Sequence, residues 1–296
     1  MSQDLPTTPD PILPTHLRAL FRRHGFRPRR RLGQTFLVDR NIVRKIVEAA
    51  HLGGQEPVLE VGAGAGAVTA ALAATARRVV AIEVDPTLVA ILHETVGDGA
   101  TVVCVDMLEV DWGQALGSEF KGQWRVVANL PYAITGPALL RLAETREWAE
   151  RMVIMVQAEV AERLAAPPGT RTRGLLSVIL QTLFEVEIVT SVSRTCFWPR
   201  PRVDSAILAL NVRRPALLSA SLEPAFRRVV RAAFGVRRKT LSNALAHASE
   251  MGLSKSEAKR LLSQCGIDQA RRAETLTEAE FLRLAGALAQ PQDRPR

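Results

Sequence analysis

The 296 residues, 47% hydrophobic and 23% charged, have the balance of a chain that buries a sizeable core, which excludes disorder along the whole length. No run reaches the ~18 apolar residues of a membrane span, and the N-terminal stretch lacks the basic and apolar regions of a secretory signal. Cys104, Cys196 and Cys265 form no CxxC pair, so neither a disulfide scaffold nor a zinc site is expected, and the expected setting is cytoplasmic. The net charge of +9 is segregated: +5 over residues 1–40, −4 over 41–212 and +8 over 213–296. Of the 39 basic residues 34 are Arg, suited to bidentate phosphate contact. A GC-rich genome explains part of that preference but not the segregation, which points to a polyanionic partner such as nucleic acid.

In chain order, residues 1–14 read as a loose tail rich in Pro and Thr, and 15–31 as a basic helical stretch. Ile42, Val43, Ile46 and Val47 mark one face of a helix over 41–50. Apolar strands follow at 57–61, 79–84, 101–105, 125–129 and 152–156, alternating with helical stretches at 67–76, from Pro86, and at 159–165. Continuously apolar strands of this kind predict a parallel sheet covered on both faces. Two later apolar runs, 184–192 and 205–212, read as a closing antiparallel pair. After Pro215 four short amphipathic helices fit 222–234, 237–248, 254–264 and 277–289. The expected fold class is α/β: a Rossmann-like sheet, parallel with an antiparallel strand at its C-terminal end, plus a small all-α C-terminal domain. The expected division is a tail at 1–14, a sheet domain at 15–212 and a basic helical domain at 213–296.

The glycines Gly62, Gly64 and Gly66 join the first strand of the sheet to its helix, where a tight turn lets backbone approach a ligand. Twenty-one residues after Gly62, at the end of the next strand, stands Glu83, the usual place for a carboxylate that binds both ribose hydroxyls. The combination predicts a nucleoside-type cofactor; a nicotinamide dinucleotide stays open, although its usual spacing is GxGxxG and this run is GxGxG. Asp106, at the end of the third strand, suits an adenine amino group or an ordinary cap on the next turn.

Asn129, Leu130, Pro131 and Tyr132 close the fourth strand. A side-chain amide oxygen and a neighbouring backbone carbonyl can both accept from an exocyclic NH2 group, Pro131 stiffens the turn, and Tyr132, the only tyrosine, offers a stacking face. Two in-plane acceptors favour pyramidalisation of an adenine amine and aim its lone pair at an electrophile. No metal is needed for this. The other reading is a plain Asn-Pro turn at a strand end.

Together these motifs resemble the ribosomal RNA adenine dimethyltransferases, over about residues 31–245. RLGQTFLVD at 31–39 is similar to a family stretch that folds over the cofactor, FWPRPRVDS at 197–205 to its second target-base loop, and FGVRRKTLSNAL at 234–245 to the basic start of its C-terminal domain. The resemblance implies S-adenosylmethionine as cofactor, bound by Gly62, Gly64, Glu83, Asp106 and Asn129 with backbone help from Thr35 and Leu37. It implies that Asn129 and the Leu130 carbonyl hold the target amine on the turn stiffened by Pro131. Tyr132 and Phe197 would clamp a flipped adenine between them. Residues alone leave Phe197 and neighbouring Trp198 both open for that second ring; the resemblance favours Phe197. At Thr35 and Ala133 the family usually carries Asn, so this chain departs there.

Arg29, Arg30, Arg31, Arg237, Arg238 and Lys239 are the candidate phosphate contacts. The implied reaction is dimethylation of N6 on two adjacent adenosines near the 3′ end of 16S rRNA in an immature small subunit, by a monomer. The alternatives are an erythromycin-resistance-type 23S rRNA methyltransferase, and a ribosome-assembly or transcription-type binding protein that keeps the fold without chemistry.

Overall fold

The computed structural model describes residues 10–29, 33–116, 123–236 and 238–289. Its strands are β1 (Phe36–Leu37), β2 (Pro57–Val61), β3 (Arg78–Glu83), β4 (Thr101–Cys104), β5 (Trp124–Asn129), β6 (Ala149–Gln157), β7 (Phe184–Val192), β8 (Phe197–Trp198) and β9 (Ser205–Val212). The helices up to β7 are α1 (Pro14–Arg23), α2 (Arg40–Ala49), α3 (Ala67–Ala73), α4 (Pro86–Val96), α5 (Trp112–Leu116), α6 (Thr135–Ala143), α7 (Ala158–Ala165) and α8 (Leu175–Leu183). After β9 come α9 (Glu223–Phe234), α10 (Leu241–His247), α11 (Lys255–Gln264) and α12 (Glu278–Ala289). No helix among the described residues is long and apolar enough to cross a membrane.

The main sheet runs β4-β3-β2-β5-β6-β9-β7. β4 to β6 are parallel, and β9 pairs antiparallel with β6 from Gln157↔Ser205 to Arg151↔Asn211. The two late apolar runs are sheet neighbours, β9 inserted between β6 and β7. The central strands are apolar on both faces because helices cover both; Leu59, Val80, Val126 and Ile154 are fully buried. Local caps set the helix starts. Asp39 accepts from the Asn41 and Ile42 amides at 2.9 and 3.1 Å, and Asp85 from Thr87 at 2.9 Å with Pro86 in the first turn of α4.

The first helix departs from expectation. It stops at Arg23, because Gly25 takes φ +66° and the Phe26 amide turns back to the Phe21 carbonyl at 2.8 Å, with the two rings 4.7 Å apart. Leu17, Leu20 and Phe21 dock into a cluster with Phe36, Leu88 and Ile91. Each such side chain contributes about 1.5–3 kcal/mol on burial. Of the expected tail at 1–14, residues 1–9 lie outside the described residues. Residues 10–13 are tied down: Arg40 pairs with Asp10, and Ile12 packs on the core.

The chain forms two compact units, Met1–Ala161 with Glu187–Val212, and Glu162–Val186 with Arg213–Arg296. The expected single crossing at 212–213 is therefore corrected: residues 162–186 join the helical unit. The cause is α8, whose Val178, Ile179 and Leu180 are buried and which packs against α9 and α12. In the same unit Arg173, almost fully buried, donates to the Ala166 carbonyl at 2.7 Å and pairs with Glu278.

Candidate active site

Within the first unit, the carboxyl ends of β2, β3, β5 and β6 carry two adjoining cavities. The turn after β2 is fastened to β3: the Gly62 and Ala63 amides both donate to the Ile82 carbonyl, at 2.9 and 3.2 Å. Gly62 has φ +77°, and a Cβ there would lie 2.8 Å from the Asn129 carbonyl oxygen. At Gly66, φ +91°, a Cβ would meet the Thr95 hydroxyl at 2.6 Å. The glycines are thus required by backbone conformation and by close approach together.

Glu83 ends β3 with its carboxylate folded under this turn. Oε2 accepts from the Gly64 amide at 2.9 Å; Oε1 accepts from Val84 and Asp85 at 2.9 and 3.0 Å. Burial pushes this carboxyl above its usual range, opposed by those three amides. One lone-pair site, on Oε2, is left for a ligand. Asp106 Oδ1 takes the Leu108 amide at 2.9 Å, the expected cap on a turn, and the residue also lines the first cavity. The side-chain amide of Asn129, at the end of β5, makes no hydrogen bond among the described residues.

The first cavity, 320 Å³, is walled by residues 33–37, the glycine turn, Glu60, Glu83, Asp106 and the 129–131 turn. Thr35, Leu37, Gly62, Gly64, Glu83, Asp106 and Asn129 all line it. Its wall holds three acidic side chains, Glu60, Glu83 and Asp106, and, among the described residues, no Lys, Arg or His. Glu60 is fully enclosed, its Oε2 has no hydrogen-bond partner, and burial pushes its carboxyl up to about 8. An acid-lined, nucleoside-sized cavity fits a cationic nucleoside such as S-adenosylmethionine better than a pyrophosphate-bearing dinucleotide. Glu83 would hold the ribose hydroxyls, Asp106 the adenine amine, and the glycine turn the close backbone approach.

The second cavity, 670 Å³, shares residues 33–35 and Ala133 with the first and is otherwise walled by Tyr132, Gln157 and residues 199–203. Asn129, Leu130, Pro131 and Ala133 line the first cavity, and Tyr132 and Ala133 the second, so this turn sits at the junction. The Tyr132 hydroxyl lies 2.8 Å from the Ser205 hydroxyl.

Phe197 is not brought to either cavity. β8 pairs antiparallel with β1, Leu37↔Phe197, which sends the Phe197 ring into the core with Val43, Met155 and Ile207. The adjacent Trp198 stacks near Phe21, ring centroids 5.8 Å apart, under the Arg18 guanidinium. Of the two rings expected to clamp the base, Tyr132 lines the second cavity with residues 199–203 and Phe197 lies in the core. Arg29, Arg238 and Lys239 are exposed; Arg30, Arg31 and Arg237 lie outside the described residues. On α9, Arg227 is paired with Glu223, while Arg228 and Arg231 are exposed. Glu60, Gln157, Ser205, Arg200 and Arg202 were not singled out by the sequence reading. Arg200, Arg202 and Ser205 lie within the 197–205 stretch and Glu60 stands two residues before Gly62, whereas Gln157 carries no local signal.

Among known proteins, this chain is 44% identical over 281 residues to "Ribosomal RNA small subunit methyltransferase A" of Pelotomaculum thermopropionicum, covering 92% of this chain and 95% of that one. The protein of the same name from Moorella thermoacetica is 45% identical, covering 91% and 96%. Among solved structures, the 23S rRNA methyltransferase ErmE matches with TM-score 0.65 at 28% identity, over 86% of this chain and all of that one. A dimethyladenosine transferase from Plasmodium falciparum shares the fold with TM-score 0.70 at 24% identity, over 84% and 95%. Residues 25–290 match the ribosomal RNA adenine dimethylase family. With an acid-lined nucleoside cavity opening beside the 129–132 turn, the chain belongs to that family of S-adenosylmethionine-dependent rRNA methyltransferases.

Proposed function

We propose that this protein dimethylates N6 of two adjacent adenosines near the 3′ end of 16S rRNA in an immature small subunit, acting as a cytoplasmic monomer without a metal. The observation that carries the reading is the position of the 129–132 turn between a cofactor-sized cavity and a second cavity open to a base. The small-subunit names of relatives at 44–45% identity support 16S over 23S rRNA.

When bound, S-adenosylmethionine supplies an electrophilic methyl group on a cationic sulfur. The chain's part is positioning. The Asn129 side-chain oxygen and the Leu130 carbonyl accept from the target amine and turn its lone pair toward the first cavity. Tyr132 covers one face of the base, and residues 199–203 close over the other. Holding two reactants in line contributes several kcal/mol without a strong base. The small Ala133 at the junction leaves room for the first methyl group while the second is transferred. Arg29, Arg30 and Arg31, with Arg237, Arg238 and Lys239, meet phosphates, and the basic helices after β9 serve in RNA binding.

The test is methyl transfer from labelled S-adenosylmethionine to unmodified 30S and 50S particles, with Asn129→Ala as control. Dimethyladenosine only in 30S, lost in the variant, is the expected result. Label in 23S rRNA would move the protein to the ErmE-like reading. Tight 30S binding with no label in either particle would leave an assembly role alone.

A further inference from the structure

The main chain at Tyr132 is held by the turn, the Thr135 hydroxyl donating to the Tyr132 carbonyl at 3.2 Å, but the ring projects from it. Tyr132 opens a single 3-10 turn (Tyr132–Ile134) after Pro131, outside any strand or long helix, and its ring lines the open second cavity. The phenol makes one side-chain hydrogen bond, 2.8 Å to Ser205. Ser205 is the opposite case. It is completely buried, begins β9, and is held in register against Gln157, the last residue of β6. The neighbouring Asp204 is fixed from both sides: its carbonyl accepts from the Ala158 amide at 3.0 Å and its carboxylate from the Arg194 amide at 2.9 Å. Residues 199–203, which wall the same cavity, lead directly into this anchored point.

We propose that Ser205 is a positioning residue for methyl transfer, fixing the plane of the Tyr132 ring through the hydroxyl–hydroxyl bond and tying it to the loop that closes the opposite side of the base. The inference rests on the reading of Tyr132 as a base-stacking residue. A stacking ring must be held to within about half an ångström to be useful. The sheet holds the turn by the Leu130 amide on the Met155 carbonyl at 3.3 Å, and reaches the ring's hydroxyl through Ser205. The Tyr132 hydroxyl is also the partner of the buried Ser205 hydroxyl, so removing it leaves Ser205 unpaired.

Because Tyr132 is the only tyrosine, its ionisation can be followed alone by phenolate ultraviolet absorbance. Burial raises its pKa, the Ser205 hydroxyl lowers it, and the Asp204 charge raises it. Ser205→Ala is therefore expected to move the titration further up. Steady-state methylation of 30S particles should show kcat reduced roughly fivefold, the scale of one net hydrogen bond, with KM for S-adenosylmethionine unchanged. Tyr132→Phe should lose a similar factor, and adding Ser205→Ala to Tyr132→Phe should lose little more. Ser205→Thr, which keeps the hydroxyl, should recover kcat relative to Ser205→Ala. Calorimetric binding of S-adenosylhomocysteine controls for a damaged fold. Multiplicative losses in the double variant, or an unmoved tyrosine titration in Ser205→Ala, would overturn the proposal. Full activity in Tyr132→Ala would remove the base-stacking reading itself, and the proposal with it.

Discussion

The two cavities are built on different principles. The first is walled by strand ends and their turns, and its polar parts are locked by backbone: Ile82 holds the glycine turn, and three amides hold Glu83. The second is walled by the short 3-10 turn and the 199–203 loop, and one side-chain bond aligns its ring. A cofactor of constant shape suits a site fixed by main chain. A base that is extruded, methylated once and then methylated again suits walls that side chains can set. The comparison implies that changes at the first cavity act on binding and stability together, while changes at the second act on turnover and RNA.

Asn129→Ala, at the junction, breaks the comparison most sharply. Methyl transfer should fall by about a hundredfold or more, while calorimetry finds S-adenosylhomocysteine still bound. Gly62→Ala comes next. Its Cβ would press on the Asn129 carbonyl at 2.8 Å in a φ of +77°, so urea unfolding should show a loss of about 2 kcal/mol. Cofactor affinity should fall with it.

Glu60 sharpens the contrast through pH. Its folded pKa is raised from 4.5 to about 8, so the native protein keeps a proton that the unfolded chain releases. Native binding of the extra proton makes stability fall as pH rises from 4.5 toward 8. Urea titrations without cofactor should show that slope, and Glu60→Gln should flatten it. The smallest effect belongs to the second cavity's rim. Arg200→Ala and Arg202→Ala should leave cofactor affinity unchanged and each lower the salt slope of RNA binding by about 1, measured by filter binding across ionic strength.

What was legible in the sequence was local. The glycine turn, Glu83 and the 129–132 turn lie at the ends of apolar strands, so spacing alone placed them. The end of α1 was readable too, since Gly25 before an aromatic is a C-terminal stop, but the run of arginines to 31 obscured it. Other features depended on partners far away in sequence. Phe197 goes into the core because β8 pairs with β1, some 160 residues earlier. Gln157 and Ser205 meet only through the β6–β9 register. The apolar residues of α8 do not say which neighbour they pack against, so its attachment to the helical unit could not be read from periodicity.

Residues 33–35 and Ala133 form a party wall between the two cavities. Any shift of that wall on filling one chamber is felt by the occupant of the other, and thermodynamic linkage makes the effect mutual. The factor by which a bound cofactor tightens the binding of RNA is therefore the factor by which bound RNA tightens the binding of the cofactor. Dimethylation draws on two donor molecules for each base, so this coupling acts at both transfers.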